Sequence, residues 1–109
     1  MSDMFESNSQ TRPVIVNGDS MWPTIRDGEQ VMCEIGYYES TKPRIGEIVL
    51  CIHPLISSVR VIKRISEIYT DGRVFLEGDN PDPIGSTDSH AFGSVAKEHI
   101  LGRILISSK

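Results

Sequence analysis

The sequence predicts an all-β fold, a small barrel or sandwich with long loops and little helix. Its apolar side chains recur in short runs with a period of two, as in half-buried strands. Gly, Pro, Asn and Asp separate these runs at short intervals. The 109 residues are enough for one modest core and too few for two. We therefore expect a flexible tail over residues 1–11 and a single domain over residues 12–109.

Six segments have the pattern of strands, and they are residues 13–17, 29–35, 48–52, 58–69, 74–76 and 100–106. In the second, Val31, Cys33 and Ile35 share one face, and Ile48, Leu50 and Ile52 do so in the third. Asp71-Gly72 indicates a two-residue hairpin turn. Residues 78–93 are rich in Asp, Pro, Ser and Gly and predict a long loop, and residues 95–99 predict one helical turn.

Charge and hydropathy exclude two classes of partner. The formal net charge is −4 and the Lys and Arg residues are scattered, whereas phosphate binding needs a concentrated basic face. We therefore expect no nucleic acid partner. The longest apolar run has five residues, far from the ~20 of a membrane helix, and the polar N-terminus lacks the features of a secretory signal. The sequence thus predicts no membrane span and a cytoplasmic location.

The two cysteines predict structure rather than chemistry. Cys33 and Cys51 each lie within a predicted strand, without a CxxC pair or a histidine at zinc-ligand spacing. We expect reduced core thiols and no metal or cofactor. A disulfide between strands and a cysteine nucleophile are less favoured alternatives.

The serine turn, residues 18–24, holds a hydroxyl in a constrained backbone. Gly18 has access to backbone angles closed to other residues, and Pro23 fixes its own φ and restricts Trp22 before it. A serine held in this way can project its Oγ as a nucleophile must. The alternative is an ordinary polar turn with Trp22 packed beneath it.

A lysine in the fourth strand is a candidate base. Val61, Lys63 and Ile65 point to one side of a strand, so an apolar face would draw Lys63 inward. Burial lowers the pKa of a lysine, and a neutral amine can accept a proton from a serine hydroxyl. The alternative is that Lys63 extends its amine to the surface. The three histidines offer no better base, because His53 precedes a proline and the other two lie in or after the long loop.

Four segments in this order resemble the sequence boxes of the signal peptidase I superfamily of Ser-Lys proteases. They are residues 18–24 with the Asp27-Gly28 turn, residues 44–49 with Glu47 for the usual Asp, residues 61–65, and residues 78–93 ending in Gly102-Arg103. Together they cover nearly the whole chain from Val14 to Arg103. The resemblance implies the all-β catalytic fold of signal peptidase and LexA, and it favours the catalytic interpretation of Ser20 and Lys63.

The resemblance also implies a role for each candidate residue. Ser20 would be the nucleophile of an acyl-enzyme mechanism and Lys63 the general base, while the Ser20 backbone N–H helps to hold the oxyanion. Ser86 would orient the Lys63 amine, and Asp88 would brace that loop. No metal or cofactor is implied.

Within the serine turn, four further residues are assigned supporting roles by the resemblance. Gly18 stands where some family members carry an oxyanion-hole serine, and Asp19 would support the same region. Met21 and Pro23 would contact the substrate.

The chain also departs from the family pattern. His90 stands where arginine is common, and about two extra residues lie between Asn80 and Ser86. The membrane anchor and the large accessory insertion of bacterial leader peptidases have no counterpart in the sequence.

Within the superfamily, the chain is most similar to the maturation proteases of nickel-type superoxide dismutase, through His53-Pro54 and the Gly-Asp-Asn-Pro of residues 78–81. This likeness implies one protein partner, the superoxide dismutase precursor, whose N-terminal extension would be removed. The alternatives are a leader peptidase like signal peptidase I or the mitochondrial inner membrane proteases, a LexA-type self-cleaving regulator, and a non-catalytic binding module. The chain has neither a DNA-binding domain nor an obvious Ala-Gly or Cys-Gly cleavage site.

Overall fold

A computed structural model describes residues 10–82 and 87–106 and contains one six-stranded antiparallel sheet. The strands are β1 (Gln10–Ile15), β2 (Gln30–Ile35), β3 (Ile48–Ile52), β4 (Arg60–Ile68), β5 (Val74–Glu77) and β6 (Ile100–Leu105). Their order across the sheet is β1-β2-β6-β3-β4-β5. Within residues 10–82 and 87–106, three short segments are helical, and they are Tyr37–Glu39, α1 (Ser89–Phe92) and Lys97–His99. The predicted all-β fold with little helix is confirmed, and no helix in the described residues is long and apolar enough to cross a bilayer.

The core lies on both faces of β3. Ile48 and Leu50 join one buried cluster, which also contains residues from β2 and β6 and from the serine turn. Val49 and Cys51 point the other way and join a second cluster with side chains of β4 and β5. The sequence pattern predicted only the first of these faces, because a strand buried on both sides has no polar alternation to reveal the second.

The edge strand β1 begins earlier than predicted. Gln10 and Thr11 pair with Ile35 and Glu34, so these two residues belong to the sheet although the pattern assigned them to the tail. The first four residues of β1 are exposed and three of them are polar, which explains why hydrophobic periodicity missed them. The rest of the predicted tail, residues 1–9, lies outside the described residues.

The hairpin between β4 and β5 has a three-residue loop instead of the predicted two-residue turn. Tyr69 N–H donates to Arg73 O at 2.9 Å, and Gly72 N–H donates to Tyr69 O at 2.9 Å. Gly72 has a φ of 93°, the left-handed conformation that ends such a loop. The glycine was therefore recognised correctly, but it follows the turn instead of forming its centre.

Part of the predicted long loop is helical. Asp88 caps α1, because its carboxylate accepts a hydrogen bond from His90 N–H. The helical turn predicted at residues 95–99 is shorter, since Val95 pairs with Val74 as an isolated β-bridge and the helix begins at Lys97.

The close approach of β6 to β2 at Gly102 generates a prediction. A Cβ at this position would lie 2.8 Å from Cys33 Sγ and closer still to the Glu34 backbone oxygen. We expect Gly102→Ala to lower the free energy of unfolding by about 1–3 kcal/mol, the usual cost of overpacking, as measured by urea denaturation. The control is Ser57→Ala at an exposed loop position, and equal stability of the two variants would contradict the crowding.

Candidate active site

The serine turn is anchored at both ends. Gly18 has a φ of 91°, and its N–H donates to Asp27 Oδ1 at 2.7 Å. Trp22 N–H donates to Asp19 O at 3.1 Å, and Met21 is fully buried in the first core cluster. Trp22 remains 45% exposed, so Met21, not Trp22, packs beneath the turn. The buried Met21 side chain thus holds the backbone around Ser20 in place. The Ser20 side chain is half-buried and lies at the surface of the core.

Ser20 and Lys63, 43 residues apart in the chain, line one cleft of about 410 Å³. We call it the serine cleft, and its lining residues are Val14, Ile15, Val16, Asn17, Gly18, Asp19, Ser20, Leu50, Arg60, Val61, Ile62 and Lys63. The structure thus brings together four of the predicted site residues, Gly18, Asp19, Ser20 and Lys63. It does not bring Met21 or Pro23 into the cleft lining, since Met21 lies in the core and Pro23 is exposed beside another hollow.

Lys63 points inward, as the strand periodicity predicted. It pairs with Val49 of β3 and is only 3% exposed, which rules out the alternative of a surface amine. Burial lowers the pKa of Lys63, and the negative charge of Asp88 acts in the opposite direction. The amine is therefore held in a place that favours its neutral form, as a general base requires.

One carboxylate, Asp79, connects the serine turn to the lysine strand. Its Oδ2 accepts hydrogen bonds from Thr24 Oγ1 at 2.6 Å and Arg64 Nη2 at 2.7 Å, and its Oδ1 accepts one from Arg64 Nε at 2.9 Å. Arg64 directly follows Lys63 in β4 and also donates to Gly46 O at 2.7 Å. These bonds hold the pKa of Asp79 below its usual range, and the bond from Arg64 contributes most.

Asn80 joins the same loop to the serine turn through the backbone. Its N–H donates to Ser20 O at 3.0 Å, and its side-chain amide donates to Asp19 O at 2.7 Å. The contacts of Asp79 and Asn80 were missed by reasoning from the sequence, which noted only a Gly-Asp-Asn-Pro motif in the loop. That motif is the one signal that could have pointed to them.

Asp88 lies between the loop and α1. Its carboxylate accepts hydrogen bonds from Gly78 N–H at 3.2 Å, from His90 N–H at 3.0 Å, and lies 2.9 Å from His90 Nδ1. Burial alone would raise the pKa of Asp88, but the bonds from His90 and Gly78 outweigh it and lower the pKa. His90 therefore contacts the acid that the resemblance assigns to bracing this loop. Ser86, the other residue of that assignment, lies outside the described residues.

The remaining candidate groups do not belong to the site. Cys33 and Cys51 are buried free thiols, and burial raises their pKa values to about 11 and about 12, so both stay protonated at neutral pH. His53 is used locally, since its Nδ1 accepts hydrogen bonds from Leu55 N–H and Ile56 N–H. No three His, Cys, Asp or Glu side chains of residues 10–82 and 87–106 are grouped as a metal site would need.

The hydrogen bonds of Asp79 predict a loss of stability in Asp79→Asn. We expect a decrease of about 1–3 kcal/mol in the free energy of unfolding at pH 7, because hydrogen bonds to charged groups are lost. Since the pKa of Asp79 is lowered by folding, its contribution is present above the usual value of 3.8 and is lost as the pH falls through the folded value. Urea denaturation of wild type and Asp79→Asn at pH 7 and near pH 3 measures how this stability loss depends on pH.

The control for Asp79→Asn is Glu98→Gln, which removes an exposed carboxylate. A stability difference between wild type and Asp79→Asn that is the same at both pH values would contradict the assigned bonds.

The burial of Lys63 predicts the opposite effect. We expect Lys63→Met to be more stable than wild type at pH 7, by on the order of 1 kcal/mol, because the cost of burying an amine is removed. Folding lowers the pKa of Lys63, so wild type gains stability as the pH rises from that folded value towards 10.5. The stability advantage of Lys63→Met over wild type therefore shrinks over this pH range. Thermal unfolding between pH 7 and 10.5 checks this, and a variant that is less stable at every pH would refute it.

Known proteins resemble this chain over most of its length. Residues 1–105 match the family model described as Peptidase S24-like. The chain is 32% identical over 112 residues to "Mitochondrial inner membrane protease subunit 1" of Xenopus tropicalis, covering 85% of this chain and 66% of that protein. It is 25% identical over 136 residues to "Probable signal peptidase I-1" of Synechocystis sp., covering 85% and 68%. The chain thus spans about two thirds of the length of these relatives. It belongs to the Peptidase S24-like family.

Proposed function

We propose that this protein is a serine endopeptidase in which Ser20 and Lys63 form the catalytic dyad. The observation that carries the proposal is that a buried lysine and a serine in an anchored turn line the same cleft. Family membership and the two relatives support a peptidase of the signal peptidase type. The sheet from Gln10 to Leu105 would belong to its single catalytic domain.

In the proposed mechanism, neutral Lys63 Nζ takes the proton from Ser20 Oγ as that oxygen attacks the scissile carbonyl. The Ser20 backbone N–H donates to the oxyanion of the tetrahedral intermediate, beside Gly18 and Asp19. Lys63 then gives its proton to the leaving amine, and an acyl-enzyme remains. Lys63 next takes a proton from water, the hydroxide attacks the ester, and Ser20 regains its proton as the acid product leaves. Ser86 is proposed to orient the Lys63 amine.

The open edges of two strands favour a peptide substrate in extended form. Among the described strands, β1 pairs with β2 alone, and β5 pairs with β4 only from Arg64 to Ile68. Within the described part of the chain, residues 60–63 therefore have no partner strand on the β5 side. Both open edges line the serine cleft, so a peptide placed there has backbone groups to bind on either side.

Two substrates are proposed, and different observations support them. Similarity to nickel superoxide dismutase maturation proteases favours that precursor, with removal of its N-terminal extension. The names of the two relatives favour a leader peptidase acting on other precursors. The cytoplasmic location predicted from the sequence suits the first substrate and stays a prediction.

The test is cleavage of the superoxide dismutase precursor by the purified protein, with mass spectrometry to locate the new N-terminus. We expect wild type to cut once, and Ser20→Ala and Lys63→Met each to lower the rate at least about 10³-fold, since nucleophile and base act as a unit. Ser58→Ala is the control at an exposed position.

Full activity of Ser20→Ala or Lys63→Met would refute the dyad. If the precursor stays intact while a signal-peptide substrate is cut, the leader peptidase is the correct function. A fragment of the enzyme itself, absent in Ser20→Ala, would instead identify a self-cleaving regulator.

A further inference from the structure

We propose that Arg60 makes this peptidase select substrates that carry an acidic side chain about three residues from the scissile bond. The inference rests on the proposed function and extends it by naming a chemical class of substrate. It follows from where the charges of the serine cleft lie along an extended peptide.

The serine cleft has few charged groups. Its wall is partly apolar, with Val14, Leu50 and Ile62 among the lining residues. Its charged members are Asp19, Arg60 and Lys63. Asp19 adjoins Ser20 and Lys63 is buried, so both belong to the catalytic end. Among the described residues that line the cleft, Arg60 is the one exposed cation.

Arg60 is placed to face a ligand instead of another part of the protein. It is the first residue of β4, and no acidic side chain among the described residues forms an ion pair with it. By contrast, Arg64 on the same strand binds within the protein, since its guanidinium N–H groups donate to the Asp79 carboxylate and to Gly46 O. An exposed guanidinium that lines a cleft and has no acidic partner in the described part of the chain is a recognition group for a carboxylate.

The spacing of Arg60 from the catalytic end defines the substrate position. Arg60 lies three residues before Lys63, which along a strand is about 10 Å. A peptide bound in extended form beside β4 covers the same distance with three residues. The apolar lining of Ile62 lies between the two ends, so the residues nearer the bond would be small or apolar and the acidic residue lies beyond them.

The expected effect is modest and depends on salt, because Arg60 is exposed. Exposed charge pairs are weak, so we expect an acidic peptide to exceed its lysine counterpart by about three- to tenfold in kcat/KM. The Debye length falls from about 10 Å at 0.1 M salt to about 3 Å at 1 M, which removes most of this preference. An effect of packing or of hydrophobic contact would keep its size.

The experiment uses peptides that span the leader junction of the nickel superoxide dismutase precursor. Each peptide carries a single Asp or Lys at one of positions two to four on either side of the scissile bond. We expect wild type to prefer Asp about three- to tenfold at one position, Arg60→Glu to prefer Lys there, and 1 M NaCl to remove most of both preferences. Arg44→Glu is the matched control, since Arg44 is exposed and outside the cleft. It should keep the wild-type preference.

The outcomes distinguish the role of Arg60 from the proposed peptidase activity. Cleavage by wild type without charge preference, or a preference that Arg60→Glu leaves unchanged, overturns the role of Arg60 and leaves the peptidase intact. Failure of wild type to cut either these peptides or a signal-peptide substrate faster than Ser20→Ala overturns the proposed function, and the role of Arg60 with it. Circular dichroism shows whether Arg60→Glu is folded, and a peptide with a neutral residue at the selected position should be cut at similar rates by both enzymes.

Discussion

The geometry of the cleft depends on the hydrogen bonds of the Asp79 carboxylate. This carboxylate binds Thr24 at the end of the serine turn and Arg64 next to Lys63, and it comes from a loop that is remote in sequence from Thr24. A charge-assisted, two-pronged bond to a guanidinium fixes angle as well as distance. The serine turn and the lysine strand could otherwise shift relative to each other, and in the proposed dyad a displacement of about 1 Å between Ser20 and Lys63 would be costly.

The second constraint is the burial of an amine, and it is met by the central strand of the sheet. β3 is apolar on both faces, so it places Val49 opposite Lys63 while Ile48 and Leu50 hold the serine turn from the other side. The same strand thus removes water from the lysine and supports the serine. Asp88 supplies one negative charge nearby, which limits how far the pKa of Lys63 falls.

The sequence predicts those parts of the fold that have a local signal. Alternation of apolar residues located the strands and the inward direction of Lys63, and Gly18 and Gly72 marked turns correctly. It failed for β1, whose polar residues 10–12 become a strand only by pairing with β2. It also failed for Met21 and Trp22, because period and composition do not say which of two adjacent apolar side chains enters the core. The partners of Asp79 lie 15 and 55 residues away, and no local pattern encodes such contacts.

The position of β6 has a consequence for how the molecule assembles. β1 and β2 form one hairpin, β3 to β5 form a meander, and only the last strand pairs with both. Ser20 belongs to the first unit and Lys63 to the second, so the sheet joins the two units only when residues 100–105 have been added. Such non-local closure is slow compared with hairpin formation. We therefore expect the serine cleft, which takes residues from both units, to form late in folding.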